Sequence, residues 1–253
     1  MTAPILVVCE NADELANRAA DFIVESARQS IAERGCFSLA LSGGSTPEKT
    51  YTLLAEPAHS AAIDWAKVFV FFADERFVAG DDPRSNFGLA QRTLLARVPL
   101  PSAQVFAIPV YGESAAQCAA QYAEILARWF ATPGESVPPR LDLILLGLGE
   151  DGHAASLFPG AAALAVGDAW VTWSPPGRLP PPVDRITLTY PVLNAARRVA
   201  FLVAGANKAA TLQEVVEQHA SREQRPAAGV QPADGTLTWF VDRDAVQSLR
   251  LRR

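Results

Sequence analysis

Short apolar runs alternate along the chain with segments whose apolar positions recur every three to four residues. Residues 5–8 and 37–41 are largely apolar runs of the kind found in buried strands. Residues 12–33 instead carry apolar side chains with a helical period, and Gly35 is a typical helix stop signal. The start of the chain therefore predicts a strand, a helix and a second strand.

The same alternation continues to the end of the chain. It predicts strands at residues 68–73, 105–110, 141–146, 185–190, 199–203 and 237–241, and helices at residues 47–54, 87–98, 114–130 and 208–219. Strands that alternate with helices form a mostly parallel sheet with helices on both faces. We therefore expect a Rossmann-like, doubly wound α/β fold with its active site at the carboxyl ends of the strands.

The composition is that of an ordinary globular protein. The chain has 253 residues, 49% of them hydrophobic and 19% charged, which suits one domain spanning residues 1–253. The stretch 132–140, rich in Pro, Gly and Ser, is then a surface loop. A formal net charge of −5 without a basic stripe argues against nucleic acid as a partner. Nothing here implies an obligate protein partner.

The signals of membrane insertion and secretion are also missing. No segment approaches the ~20 consecutive apolar residues of a spanning helix, and residues 1–8 lack a basic n-region. Cys9, Cys36 and Cys118 are far apart and lack metal-ligand spacing, which suits reduced structural thiols. We expect a cytoplasmic protein that does not contact the membrane.

The most informative segment is the glycine-rich stretch 147–160, which follows the apolar run 141–146. It places Asp151 and His153 on a loop at the end of a predicted buried strand. Histidine exchanges protons near neutral pH, and a neighbouring carboxylate can fix its tautomer. His153 is therefore a candidate general base oriented by Asp151. The alternative is a structural loop histidine beside a solvated aspartate.

A second glycine-rich loop, Ser-Gly-Gly-Ser-Thr-Pro-Glu at residues 42–48, joins a predicted strand to a helix. Its glycines permit a tight turn, and Ser45 or Thr46 is a candidate helix cap. Such a loop presents N–H groups at the positive end of a helix dipole, where phosphate binds. It lacks the Gly-Lys-Ser/Thr of an ATP-binding loop. The loop indicates an anion site or, alternatively, only a well-capped helix.

Charged residues mark the ends of other predicted strands. Asp74, Glu75 and Arg76 follow one strand, Arg185 opens another, and Lys208 lies just beyond a third, at a helix start. Because the carboxyl ends of parallel strands share one edge of the sheet, these loops are expected to meet in one crevice. A cation at a helix start opposes the dipole, so Lys208 requires a compensating anion unless it points to solvent. The Asp-Glu-Arg triplet is alternatively a surface ion pair.

Residues 147–152 also satisfy the pattern G-x-G-x-x-G, and Asp168 lies near the spacing of a ribose-binding acid. A dinucleotide site needs a helix that opens at the third glycine, whereas Pro159 and Gly160 interrupt this segment. We therefore do not expect a dinucleotide cofactor.

Together these segments resemble the glucosamine-6-phosphate isomerase/6-phosphogluconolactonase family, and within it the lactonases. The matching segments are LSGGSTPEKTY (41–51), FFADERFV (71–78), SNFGLAQRTLL (85–95), LGLGEDGHAASLFPG (146–160), RITLTYPVLNAARRVAFLVAG (185–205) with Lys208, and GTLTWFVD (235–242). They span nearly the whole chain in the family's order. The chain departs from the lactonase pattern at Ala154, often threonine, and at Arg84, often aspartate.

The resemblance implies hydrolysis of 6-phospho-D-glucono-1,5-lactone to 6-phosphogluconate, a step of the oxidative pentose phosphate pathway, with no metal or organic cofactor. The expected partner is thus a small sugar phosphate lactone. His153 would transfer protons, Asp151 would orient it, and Asp74 is a further candidate catalytic residue. The implied substrate- and phosphate-binding residues are Gly43, Gly44, Ser45, Thr46, Arg76, Arg185 and Lys208.

Two other functions compete with this one. The related deaminases carry Asn-Glu-Pro, with an additional catalytic carboxylate, where this chain has Phe158 before a proline. Asp74 could serve a deaminase as its base, but the missing acid counts against that function. A non-catalytic sugar-phosphate sensor would need a DNA-binding module, for which the few residues before the first strand leave no room. The proline-rich residues 174–183 are expected to form a loop that borders the site.

Overall fold

The computed structural model describes residues 3–130, 137–177 and 181–250. The strands in these residues are β1 (Ile5–Cys9), β2 (Phe37–Leu41), β3 (Val68–Phe72), β4 (Asp74–Arg76), β5 (Leu143–Gly147), β6 (Val171–Ser174), β7 (Arg185–Leu188), β8 (Arg198–Val203) and β9 (Thr236–Asp242). The α-helices are α1 (Ala12–Arg34), α2 (Ser45–Leu54), α3 (Pro57–Ser60), α4 (Asn86–Ala90), α5 (Ala115–Phe130), α6 (Tyr190–Ala195) and α7 (Ala209–Val216).

The larger sheet has six parallel strands in the order β1-β9-β8-β5-β2-β3. All residues of β2 are buried, as are residues 143–146 of β5. Such continuous apolar runs suit strands that are covered on both faces, as the strands of a parallel sheet are. Helix α1 packs against α2, β2 and β9. The predicted mostly parallel, doubly wound α/β fold is confirmed.

The strand order reverses between β2 and β5, which lie side by side. The chain runs from β2 outward to the edge strand β3, and from β5 outward through β8 to β9 on the other side. At such a reversal the loops that follow the two strands diverge and open a crevice at the carboxyl ends. These two loops carry the glycine-rich segments 42–48 and 147–160.

A second sheet of three antiparallel strands, in the order β4-β7-β6, is absent from the sequence prediction. Ala73 joins the two sheets. Its N–H donates to the Leu41 carbonyl of β2, and its own carbonyl accepts from the Leu188 N–H of β7, both at 2.8 Å. The Asp-Glu-Arg triplet is therefore strand β4 of this sheet rather than a loop. Helix α5 packs against β6 and β7.

Two predicted strands are corrected by the structure. Residues 105–110 form no strand, only one isolated bridge between Val70 and Val105; Pro109 lacks the N–H that a ladder needs. The strand predicted at 185–190 ends at Leu188, because Tyr190 and the proline after it begin α6.

Two predicted helices are shorter than expected. The helix predicted at 87–98 consists of α4 and a π-helical turn, Gln91–Leu95. In the helix predicted at 208–219, Lys208 belongs to a 3₁₀ turn and α7 ends at Val216. His219 has a φ of 51°, a left-handed conformation that stops a helix.

Some sequence expectations fall outside the described residues. These are residues 132–136 of the predicted loop 132–140 and residues 178–180 of the proline-rich stretch. Among the residues that the structure does describe, no helix has both the length and the apolar character of a membrane span. Cys9, Cys36 and Cys118 are free thiols in this structure.

Candidate active site

A cavity of about 380 Å³ opens at the carboxyl ends of β2, β5 and β8. The structure places nine of the ten predicted site residues on its wall: Gly43, Gly44, Ser45, Thr46, Asp74, Arg76, His153, Arg185 and Lys208. The tenth, Asp151, is hydrogen-bonded to the ring of His153. Asn86, Ser156 and Asn207 also line the cavity and were missed in the sequence.

The loop after β2 is fixed by Tyr51 of α2. The Tyr51 hydroxyl donates to the Ser42 carbonyl at 2.8 Å and accepts from the Ser42 N–H at 3.0 Å. Burial raises the pKa of Tyr51, which keeps its hydroxyl protonated. Gly43 lies so close to Asn86 that a methyl group there would overlap the amide. Gly44 has a φ of 118°, a conformation that favours glycine.

Gly44 is also the N-cap of α2, which begins at Ser45. The expectation that Ser45 or Thr46 caps this helix is therefore wrong, because both lie inside its first turn and no side chain caps it. First-turn N–H groups have no acceptor within a helix. The cavity thus has free N–H donors and the positive end of a helix dipole on one wall.

Two arginines form a second cationic wall. Arg76 of β4 and Arg185 of β7 are directly opposite partners in the antiparallel register. The Nε atoms of both are buried and have no hydrogen-bond partner among the described residues. Burial lowers the pKa of the Arg185 guanidinium, an effect that the charge of Asp74 opposes. Because like charges directly across a sheet repel, this arrangement favours a bound anion.

Asp74 is a buried carboxylate whose two oxygens are both occupied. Ser156 Oγ donates to Oδ2 at 2.6 Å, and Asn86 Nδ2 donates to Oδ1 at 3.1 Å. The Asn86 amide oxygen in turn accepts from Arg76 Nη1 at 2.5 Å. Asp74 therefore belongs to a network that orders Arg76. Ser156 lies only three residues after His153, which is the signal that the sequence offered for it.

Glu75 is not part of a surface ion pair, the alternative considered from the sequence. It is 2% exposed and accepts hydrogen bonds from the N–H groups of Arg76, Asn86 and Phe87 and from the Ser85 hydroxyl. Burial raises the pKa of this carboxyl, while these donors oppose the shift. Through these hydrogen bonds Glu75 holds residues 85–87 in place, and Asn86 of this segment lines the cavity.

Asp151 and His153 form a hydrogen-bonded dyad. Asp151 Oδ1 lies 2.6 Å from His153 Nδ1 and also accepts from the His153 N–H at 3.1 Å. A carboxylate at Nδ1 selects the tautomer with the proton on Nδ1. Nε2, which has no hydrogen-bond partner among the described residues, is then the basic nitrogen at the cavity.

His153 stabilises the ionised form of the Asp151 carboxyl. Burial raises the pKa of Asp151, but the hydrogen bond and charge of His153 outweigh this and lower the pKa below its usual value. The dyad also needs Gly149, because a methyl group there would overlap both side chains. The glycine-rich composition of this loop thus makes room for a carboxylate and an imidazole in close contact.

Phe158 covers the dyad on one side. The Phe158 ring centroid lies 5.0 Å from the His153 ring centroid. The guanidinium carbon of Arg185 lies 6.0 Å from the Phe158 ring centroid. Gly177 passes so close that a methyl group would overlap Phe158. The proline-rich segment therefore borders the site at its described end. Phe158, the residue that stands in place of a carboxylate, thus puts an apolar ring on the cavity wall.

Lys208 lines the cavity on the loop after β8. No side-chain hydrogen bond or ion pair of Lys208 occurs within the described part of the chain, and none of those residues supplies it with a compensating anion. Its neighbour Asn207 donates to Glu150 Oε1 at 2.6 Å, which ties this loop to the dyad loop. Residues 153–160 form turns and one isolated bridge, so no helix opens at Gly152.

The similarity to known proteins extends over nearly the whole chain. Residues 10–239 match the family described as glucosamine-6-phosphate isomerases/6-phosphogluconolactonase. A 6-phosphogluconolactonase from Synechocystis sp. is 41% identical over 248 residues, covering 98% of this chain and 99% of that protein. "Probable 6-phosphogluconolactonase 1" from Arabidopsis thaliana is 40% identical, covering 96% and 92%.

A solved structure shows the same similarity. The 6-phosphogluconolactonase from Trypanosoma cruzi has a TM-score of 0.86 to this chain and is 30% identical, covering 98% of this chain and 97% of that one. The resemblance inferred from the motifs is confirmed.

Proposed function

Because the chain belongs to the glucosamine-6-phosphate isomerase/6-phosphogluconolactonase family, we propose that it hydrolyses 6-phospho-D-glucono-1,5-lactone to 6-phosphogluconate. The observation that carries this proposal is the Asp151–His153 dyad at the wall of a cavity lined by three cationic side chains. A base beside an anion site suits an ester substrate that carries a phosphate. We place the reaction in the oxidative pentose phosphate pathway.

The proton transfers are assigned to His153. Nε2 accepts a proton from a water molecule as the water oxygen attacks the lactone carbonyl, which gives a tetrahedral oxyanion. Collapse of this intermediate breaks the bond between the carbonyl carbon and the ring oxygen. The imidazolium then returns the proton to that oxygen. Asp151 keeps the imidazole in the required tautomer and stabilises its charged form.

The phosphate is assigned to the cationic walls. The N–H groups of residues 43–46 and the positive end of α2 offer hydrogen bonds to phosphate oxygens. Lys208 and Arg185 supply charge, and Arg76 either joins them or stabilises the oxyanion. Asp74 holds Arg76 through Asn86 and offsets the charge of Arg185. Phosphate binding orients the distant lactone carbonyl toward His153.

The same geometry argues against deamination of amino-sugar phosphates. Opening a sugar ring and moving a proton between two carbons requires further acid–base groups, whereas a lactone already presents a carbonyl. Phe158 places an apolar ring beside His153 where the deaminases carry a second acid. The proposed enzyme is thus a dedicated lactonase.

The test is a direct comparison of the two reactions on the purified protein. We expect accelerated loss of 6-phosphogluconolactone, measured after subtraction of its spontaneous hydrolysis, and no ammonia from glucosamine 6-phosphate. A lactone decay no faster than the blank would refute the proposal. Ammonia release would assign the chain to the other branch of the family.

A further inference from the structure

The loop that carries the dyad is held from outside at three consecutive carbonyl groups. The Glu150 carbonyl accepts from the Thr211 hydroxyl at 2.6 Å, and the Gly152 carbonyl accepts from the Ala227 N–H at 2.9 Å. Between them, the Asp151 carbonyl accepts from Arg225 Nη1 at 3.1 Å. All three donors belong to the C-terminal part of the chain. Arg225 is the only one of them that reaches the dyad residue itself.

Arg225 is itself fixed in place. Its Nε donates to the carboxylate of Glu214 on α7, so the guanidinium bridges that helix and the dyad loop. Gly152, with a φ of 85°, lies directly against the Arg225 side chain, and a methyl group there would overlap it. The side chain is 29% exposed. It is therefore accessible enough to be replaced without opening a large cavity.

The hydrogen bond from Arg225 affects the position of Asp151 rather than the charge of its carboxyl group. Arg225 donates to the backbone oxygen of Asp151, whereas the pKa of the Asp151 carboxyl is shifted by burial, by His153 and by the backbone of Asp151 itself. The carboxylate Oδ1 reaches His153 only because the backbone of residues 149–153 makes a tight turn, with Gly149 N–H bonded to the His153 carbonyl at 3.0 Å. A shift of the Asp151 backbone would thus change the Oδ1···Nδ1 distance directly.

We propose that Arg225, held by Glu214, is a positioning residue that sets the Asp151–His153 geometry for catalysis. Arg225 does not line the cavity and acts through Asp151. This inference rests on the proposed function for its effect on rate. The structural part of the proposal, that Arg225 controls the hydrogen bond between Asp151 and His153, does not depend on the identity of the substrate.

The first test is kinetic and uses the whole chain. Arg225→Ala should lower kcat for the phosphorylated lactone by roughly 10- to 100-fold, the loss expected from a small misplacement of a catalytic group. KM should change by less than about threefold, because the phosphate-binding loops are untouched. Arg225→Lys, which retains one donor, should recover part of the rate. Arg222→Ala, at an exposed arginine of the same segment, is the matched control and should leave kcat unchanged.

Glu214 provides a second arm. Glu214→Ala should lower kcat less than Arg225→Ala, and the double variant should be no slower than Arg225→Ala alone, since Glu214 acts through the arginine. Additive losses, or an Arg225→Ala variant with wild-type kcat, would overturn the inference. So would a Lys variant as slow as the Ala variant with both fully folded.

The second test needs no substrate and separates this inference from the proposed function. The Nδ1 proton of His153 is observed by NMR of the imidazole and identified by its loss in His153→Ala. In Arg225→Ala the resonance should move or broaden through faster exchange with water, while Arg222→Ala should leave it in place. An unchanged resonance would overturn the inference even if the wild type hydrolyses the lactone. A changed resonance supports it even if another substrate proves correct.

Discussion

Arg76 and Arg185 lie directly opposite each other on the antiparallel strands β4 and β7, so two guanidinium groups share one face of the smaller sheet. Both are buried at Nε without a partner among the described residues. Two cations in this arrangement repel each other, and a bound anion removes the repulsion. The pair therefore gives a chain of formal net charge −5 a local cationic wall that suits an anion.

The first prediction concerns how the phosphate is recognised. Lys208→Ala or Arg185→Ala should raise KM for the phosphorylated lactone by roughly 10- to 100-fold, the loss of one charge-assisted contact. The effect on the unphosphorylated lactone should be much smaller. Steady-state kinetics on both lactones checks this, with exposed Arg222→Ala as control. Equal losses on both lactones would show that these cations do not bind the phosphate.

The second prediction concerns His153. His153→Ala should lower kcat by ~10²- to 10⁴-fold, the usual contribution of a general acid–base group, and leave the fold intact. His219→Asn, outside the cavity, should retain the wild-type rate. A His153→Ala variant with more than about half of the wild-type rate would remove this residue from the mechanism.

The lowered pKa of the Asp151 carboxyl predicts that the stability of the fold depends on pH. Its pKa is lowered in the folded protein, where the bond and charge of His153 outweigh burial, whereas an unfolded aspartate titrates near ~3.9. The stabilisation from the ionised carboxylate is thus fully present above that pH and is lost as the pH falls through the lower folded value.

The matching variant is Asp151→Asn, which lacks this titration. The difference in unfolding free energy between wild type and variant should be constant above about pH 5 and shrink below about pH 4. Urea unfolding from pH 3 to 7 measures it. A constant difference for Asp151→Asn would show that the carboxylate has no stabilising partner in the fold.

The backbone conformation of Ala155 predicts that glycine suits this position better than alanine does. Its φ of 49° is strained for a residue with a Cβ, whereas Ala161, also half-buried, has a φ of −75°. Ala155→Gly should be neutral or stabilise the fold by up to about 1 kcal/mol, and Ala161→Gly should destabilise it by about 0.4–1 kcal/mol. Thermal unfolding of both variants checks the difference. The reverse order would contradict the strain at Ala155.

The sequence by itself determined the six strands of the larger sheet and nine of the residues that line the cavity. Strands such as Phe37–Leu41 are buried on both faces, so their apolar runs are visible without any knowledge of their neighbours. Strand ends in a parallel sheet share one edge, which is why glycine-rich loops and charges at separate places in the chain, such as Ser45 and His153, were expected together.

Only the tertiary structure decided how those residues are held. The smaller sheet was missed because β4 and β6 have three and four residues, and β4 is entirely charged. Its strands exist through pairing with β7 rather than through an apolar period. Distant partners also hold the buried Glu75, three of whose four donors lie ten to twelve residues later in the chain. Arg225 likewise reaches Asp151 across 74 positions of the chain. Local periodicity reports which side of a segment is buried. The partner of a buried polar group often lies on a segment that is distant in the sequence. It can therefore be identified only once the fold has brought the two segments together.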